Sequence, residues 1–91
     1  MSVFRVTLAC ACVSPDAGEE VARDIQGEFA EHRRHHKNVA CSFTNGELLL
    51  TAENDYDPGG LALMDEFSDC ISAYVAEPLN DDIRVVSAVT I

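Results

Sequence analysis

The stretch from Val39 to Ala52 reads VACSFTNGELLLTA. Two short runs with many apolar residues flank the pair Asn45-Gly46. This pair is typical of a two-residue type I′ turn, because both central residues of that turn need a positive φ. The stretch therefore predicts a β-hairpin. Its core side is formed by alternate residues: Val39, Cys41, Phe43, Leu48, Leu50 and Ala52.

A helical pattern precedes the hairpin. Ser14 suits the N-cap of a helix, and Pro15 suits its first position. Apolar residues then recur at spacings of three and four, as an inward stripe requires: Gly18, Val21, Ala22, Ile25 and Phe29. Acidic residues crowd the first turns and basic residues, from His32 to Lys37, crowd the last. This order favours a helix because it complements the helix dipole.

A second helical pattern follows the hairpin. It begins near Asp57-Pro58, again an N-cap residue followed by proline, and it ends before Pro78 and the cluster Asn80-Asp81-Asp82. Its inward stripe comprises Leu61, Met64, Phe67, Ile71 and Val75. The segments from Val3 to Val13 and from Ile83 to Ile91 alternate with a period of two, which predicts a strand at each end of the chain.

The resulting order is β-α-β-β-α-β. Two helices with one apolar stripe each can cover only one face of a four-stranded sheet. We therefore predict an α+β fold, a ferredoxin-like βαββαβ sandwich, as a single domain over residues 1–91. Its antiparallel sheet has the strand order 4-1-3-2, and both helices lie on one face.

Charge and cysteine content limit the function classes. The net charge is −10, and no Lys or Arg lies between Asn38 and Ile83. Such an acidic surface disfavours nucleic acid and anionic membranes as partners and favours a basic protein or a cation. No apolar run approaches the roughly 20 residues of a membrane-spanning helix, so we expect a cytoplasmic protein. Of the four cysteines, Cys10, Cys12, Cys41 and Cys70, the first three fall where the apolar pattern places core residues. In a reducing compartment, we expect such cysteines to be small buried residues.

The uncovered sheet face is the first candidate site. Its predicted centre is small and apolar, and it comprises Ala9, Ala11, Leu49, Val86 and Ala88. No aromatic ring is available there to stack on bases, which disfavours RNA. We expect this face to mediate homodimerisation or to bind a protein partner, and we interpret the chain as a small interaction or regulatory module.

A divalent-metal or small-ligand site is the alternative. The predicted topology brings the end of the first helix close to the loop that enters the second. His32, His36, Asp55 and Asp57 would then offer the imidazole and carboxylate groups that Zn²⁺ prefers. The loop from Asp55 to Glu66 also matches part of a calcium-loop pattern, although a strand replaces its entering helix.

Enzyme signatures are lacking in the sequence. There is no phosphate-binding loop and no nucleophile elbow. A dimeric-barrel enzyme would have to rely on the few titratable groups predicted on the open face, which are Arg5, Arg84 and Glu47. We therefore favour a non-enzymatic role.

Overall fold

A computed structural model describes residues 2–80 and 82–91, so Asp81 of the predicted Asn80-Asp81-Asp82 turn lies outside the described residues. The predicted order of elements is confirmed. The elements are β1 (Phe4–Cys10), α1 (Gly18–His32), β2 (Lys37–Thr44), β3 (Glu47–Asn54), α2 (Leu61–Tyr74) and β4 (Ile83–Thr90). No helix among the described residues is long and apolar enough to cross a membrane.

The four strands form one antiparallel sheet with the order β2-β3-β1-β4. This is the predicted order read from the opposite edge, so the α+β ferredoxin-like fold is confirmed. The inner strands are β1 and β3, and the edge strands are β2 and β4. The core lies between the sheet and the helices, and its largest fully buried side chains are Phe29, Phe67, Leu8 and Ile25.

The hairpin forms as its turn residues predict. Asn45 and Gly46 have φ values of 53° and 80°, as a type I′ turn requires. Thr44 lies opposite Glu47, Phe43 opposite Leu48 and Cys41 opposite Leu50. The register shifts between Lys37 and Ala40, where Asn38 has a φ of 50°. The predicted pairing therefore holds from the turn back to Ala40 and ends at this irregularity.

The first helix begins later than its sequence predicts. α1 starts at Gly18 after Ala17, and no side chain caps it. Ser14 accepts a hydrogen bond from the Ala17 N–H through its carbonyl at 3.1 Å, which closes a turn before the helix. The close approach of Phe43 explains the glycine, because a Cβ on Gly18 would overlap the Phe43 ring. The predicted N-cap role of Ser14 is therefore wrong.

Asp57 caps the second helix as predicted, although the helix begins later in the chain than its sequence predicts. α2 starts at Leu61, after Gly60 in a left-handed conformation with a φ of 78°. The Asp57 carboxylate accepts from the backbone N–H groups of Leu61, Ala62 and Leu63, each at 3.1 Å. One buried side chain thus satisfies several of the free donors at the start of a helix.

A bulge in β4 changes which of its residues share a face. Leu8 of β1 lies opposite Val85, but the next residue back, Thr7, lies opposite Ser87, so Val86 is an extra residue. Beyond the bulge, Ala88 lies opposite the core residue Val6. Because directly opposed residues share a face, Ala88 and Thr90 lie on the helix side, and Ser87 and Val89 lie on the open side. The prediction that Ala88 lies on the open face is wrong.

All four cysteines are buried, as expected for Cys10, Cys12 and Cys41, and Cys70 joins them. Cys10 and Cys12 are joined in a disulfide, which the sequence did not predict. Their Cα atoms are 5.2 Å apart, closer than the roughly 6.7 Å across two residues of an extended strand, because β1 ends at Cys10. Burial, with the nearby Cys70 thiol, raises the pKa of Cys41 to about 12, so its thiol stays protonated.

Candidate functional site

Three places in the structure could carry a function. The first is the cluster where α1 ends, the second is the open face of the sheet, and the third is the outer edge formed by β4. The predicted site residues fall among them, but not in the predicted groups.

The structure brings together a different set of metal-ligating side chains from the predicted one. His35, His36 and Glu66 place their ligand atoms within 4.8 Å of one another. Of the predicted set, only His36 belongs to this cluster. Asp57 is engaged by the start of α2, Asp55 is exposed, and His32 points to Glu31 on its own helix at 3.7 Å. Among the described residues, the predicted ligands His32, His36, Asp55 and Asp57 therefore do not form one close group of ligand atoms.

Glu66 is the centre of this histidine–glutamate cluster. His36 Nε2 lies 2.5 Å from its Oε2, and His35 Nε2 and Arg33 Nη1 each lie 3.1 Å from its Oε1. Burial acts against ionisation, but the hydrogen bonds from His36 and Arg33 prevail and lower the pKa of Glu66. Glu66 thus remains a carboxylate and ties α2 to the segment between α1 and β2. This also removes the residue that a calcium loop would need at its last position.

The proton on His36 can be placed from its neighbours. The Asn54 side-chain oxygen accepts from the backbone N–H groups of Tyr56 at 3.1 Å and of Asp57 at 2.9 Å. The amide nitrogen of Asn54 therefore faces His36 Nδ1, 3.2 Å away, and can only donate to it. Nδ1 accepts this bond, so the proton of a neutral His36 lies on Nε2 and is donated to Glu66.

This proton position opposes metal binding. A metal held through Nε2 would need that nitrogen free of its proton, and the proton would then face the donor group of Asn54. Arg33 also places a positive charge on the carboxylate that a cation would use. The geometry describes a buried hydrogen-bonded link between secondary-structure elements better than it describes an ion site.

Polar pairs cross the open sheet face. Arg5 of β1 binds Glu53 of β3 at 2.9 Å, and the Thr7 and Thr51 hydroxyls lie 3.0 Å apart. Arg84 of β4 forms a bidentate ion pair with Glu47 of β3, across the end of β1. The titratable groups predicted for a barrel enzyme, which are Arg5, Arg84 and Glu47, are therefore all engaged in ion pairs on this surface.

These pairs alter the predicted apolar centre of the open face. Ala9 is fully buried, because it lies opposite Leu49 on one side and Arg84 on the other. Leu49 is half-buried, and Ala11 is exposed just beyond the end of β1. The exposed apolar surface lies instead toward β4, at Val86 and Val89.

The edge strand β4 is exposed along almost its whole length. Val85 lies opposite Leu8 and so faces the helix side, yet 42% of its surface is accessible. Val86, Val89 and Ile91 are 52%, 47% and 52% exposed. Of the residues of β4, only Ile83 is half-buried against the core. It lines a shallow groove together with Met64 and Ser68 of α2. The helix layer therefore covers only Ile83, the first residue of β4.

Sequence patterning could not reveal this exposure. The alternation of β4 predicted one buried face, but in the structure every residue of β4 after Ile83 is exposed. The one available signal was composition, since the strand from Ile83 to Ile91 is rich in β-branched residues and contains a single charge, Arg84. No family model, curated protein or solved structure matches this chain.

Proposed function

We propose that the protein is a non-enzymatic interaction domain that associates through the β4 side of its sheet. This interaction surface comprises the free edge of β4 and the exposed residues Val85, Val86, Val89 and Ile91. One observation carries the proposal: these four residues are half of the eight large hydrophobic residues that are exposed among the described residues. A long, apolar and uncovered edge strand is the usual point of strand addition.

The proposal keeps part of the predicted interaction face and moves its centre. Val86 belongs to the interaction surface, and Leu49 adjoins it. Ala9 does not contribute, because it is buried beneath neighbouring side chains. Ala88 contributes through its backbone at the edge rather than through an open-face side chain.

A charge introduced at this surface tests the proposal. We expect Val89→Glu to reduce association at least tenfold in sedimentation-velocity experiments, run from about 10 µM to about 1 mM because small interfaces are weak. Leu61→Glu is the matched control, since Leu61 is 72% exposed and lies on α2, outside the proposed interaction surface. Equal effects of the two substitutions would overturn the proposal. A wild type that neither self-associates nor binds a basic partner in a Val89-dependent manner would also overturn it.

Salt dependence separates the two classes of protein partner. Two copies of a chain with a net charge of −10 repel each other, so self-association should strengthen as salt screens that repulsion. A basic partner would be attracted, and its binding should weaken with salt. Polylysine is a suitable probe for a basic partner. Binding of polylysine that Val89→Glu leaves unchanged would count against the β4 surface.

Divalent-metal binding is the second candidate function, and one observation favours it, the convergence of His35, His36 and Glu66. The proton position on His36 opposes it, so we expect no stoichiometric Zn²⁺ to be retained in native mass spectrometry. Retained Zn²⁺, together with a rise in melting temperature that Glu66→Gln abolishes, would establish the metal function instead.

A further inference from the structure

We propose that the partner at β4 is a second copy of the chain, whose β4 pairs antiparallel with the first and places Val89 on the two-fold axis. This inference rests on the proposed function and specifies its partner and register. It follows from the directions of the free backbone groups on β4, from the position of the bulge and from the distribution of charge.

The free backbone groups can be assigned from one hydrogen bond. Ile91 donates its N–H to the Val3 carbonyl at 2.8 Å, so Ile91 and Val3 form a hydrogen-bonded pair of the β1–β4 ladder. Such pairs alternate along antiparallel strands. Val89 and Ser87 therefore also point their N–H and C=O groups toward β1. Ala88 and Thr90 point theirs outward, to the free edge.

The bulge limits the segment that can pair with itself. Before Val86 the odd-numbered residues of β4 face the helices, and after it the even-numbered residues do. A two-fold axis through a pair of antiparallel β4 strands places odd-numbered residues opposite odd-numbered ones, and even-numbered residues opposite even-numbered ones. Self-pairing across the bulge would therefore place helix-side residues opposite open-side residues. Only the segment from Ser87 to Ile91 can pair with its own copy while keeping the two faces in register.

One register satisfies the outward groups of this segment. With Val89 opposite Val89, each Ala88 lies opposite the Thr90 of the other copy, and each Ser87 lies opposite Ile91. Both Ala88–Thr90 pairs then exchange N–H···O bonds through groups that are otherwise free. The two sheets become one continuous sheet with the helices of both copies on the same side, and Val89 and Ile91 of both copies form a shared apolar patch on the other side.

Charge and edge chemistry favour a second copy over a foreign strand. The segment from Val85 to Ile91 contains no charged side chain. The charged side chains beside it are Arg5, which lies opposite Val89, and Arg84. Both are neutralised within the same copy, Arg5 by Glu53 and Arg84 by Glu47. The two-fold relation is self-complementary, as a closed dimer requires. No side chain of the described residues donates to or accepts from the β4 backbone, so nothing has to be displaced.

Cysteine cross-linking tests the register. Opposed residues in a non-hydrogen-bonded pair have Cα atoms about 4.5 Å apart, which lies within the range of a disulfide. We expect Val89→Cys to form an interchain disulfide with oxidised glutathione as the electron acceptor, at least ten times faster than Val86→Cys. Val86 is equally exposed but lies outside the paired segment. Equal cross-linking rates for the two variants would overturn the proposed register.

A backbone variant tests the edge independently of any thiol. Proline at residue 88 removes only an outward N–H, and edge strands tolerate proline there. We expect Ala88→Pro to reduce self-association at least tenfold with an unchanged circular dichroism spectrum, and Ala88→Val, which keeps the N–H, to leave it within twofold.

The outcomes distinguish the two proposals. Self-association that Val89→Glu abolishes but that shows no Val89 cross-link would overturn the register and leave the interaction surface in place. A strict monomer at 1 mM, whose β4 edge nevertheless binds polylysine in a Val89-dependent manner, would overturn self-pairing alone. Self-association that neither Val89→Glu nor Ala88→Pro alters would overturn both proposals.

Discussion

The two edge strands of one sheet differ in how completely the fold covers them. β2 packs on α1 through Cys41, which is buried, and through Val39 and Phe43, which are half-buried. Its outer backbone is also engaged, because the Gln26 side chain of α1 accepts a hydrogen bond from the Cys41 N–H at 3.1 Å. β4 has neither kind of cover. An edge strand that no helix covers and no side chain caps keeps its outer backbone groups free to pair with another strand.

The segment before β2 is hydrogen-bonded to two neighbouring elements. His36 links Asn54, at the end of β3, to Glu66 on α2. At the corresponding point before β4, the chain between α2 and Ile83 consists of exposed residues among those described, apart from Val75. Asn80 nevertheless donates to the Ala11 carbonyl at 2.7 Å, which fixes where β4 begins. The sheet is therefore anchored on the β2 side and open on the β4 side.

Truncation of the helix-facing side chains should give the largest difference between the two edges. We expect Phe43→Ala to lower the free energy of unfolding by about 2–3 kcal/mol, because it removes an aromatic ring packed on Gly18. Val85→Ala at the corresponding side of β4 should cost about 0.5 kcal/mol or less, since Val85 is largely exposed. Urea unfolding measures both values. Equal costs would mean that the helices cover β4 in solution.

Removal of the carboxylate that anchors the β2 side should have an intermediate effect. We expect Glu66→Ala to cost about 1–2 kcal/mol at neutral pH, because it leaves buried His36 without a partner for its Nε2 proton. Asp65→Ala, at an exposed position on the same helix, is the control and should cost less than about 0.5 kcal/mol.

The pH dependence of this effect has a defined sign. The pKa of Glu66 is lower in the folded protein than its ordinary value of 4.5, so its stabilisation is complete above that value. The stabilisation is lost as the pH falls below 4.5 and through the lower folded-state pKa. The difference between the wild type and Glu66→Ala should therefore shrink in acid. A difference that grows in acid would contradict the assignment of Glu66 as the ionised partner.

Loss of the β2 edge cap should have a smaller effect on stability than loss of Phe43 or Glu66. We expect Gln26→Ala to cost about 0.5–1 kcal/mol and to accelerate amide hydrogen exchange at Cys41, whose N–H then faces water. Arg23→Ala on the same helix is the control, because it removes an exposed side chain from the adjacent groove without touching the β2 backbone. Unchanged exchange at Cys41 in Gln26→Ala would show that the helix itself, and not Gln26, protects this edge.

Local signals in the sequence predicted most of the fold. The Asn45-Gly46 pair predicted the hairpin register, and the apolar stripes predicted that both helices pack on one face of the sheet. Leu61 is an error in the second stripe, because it is 72% exposed, whereas Leu63 is buried. Ser14 misled because its carbonyl closes a turn with the Ala17 N–H, and the helix begins only after this turn, at Gly18. The β4 bulge carries no glycine and no proline, so nothing in the strand marks Val86 as an extra residue.

The candidate sites were harder to predict because they depend on distances between elements. Glu66 looked like an exposed residue of α2, and only the packing of α2 on α1 brings it to His36. Nothing in the sequence indicated that the Asn54 amide would contact His36 and determine which ring nitrogen carries the proton. The exposure of β4 depends on the lateral position of two helices, which periodicity does not encode.

Amide hydrogen exchange measured at increasing protein concentration tests the contrast between the two edges most directly. The outward N–H groups of Ala88 and Thr90 should exchange at least tenfold more slowly at 1 mM than at 10 µM, because a second β4 then occupies the edge. The Cys41 N–H on β2 should exchange at the same rate at both concentrations. Protection that rises at β2 instead, or at neither edge, would contradict the assignment of β4 as the open edge of the sheet.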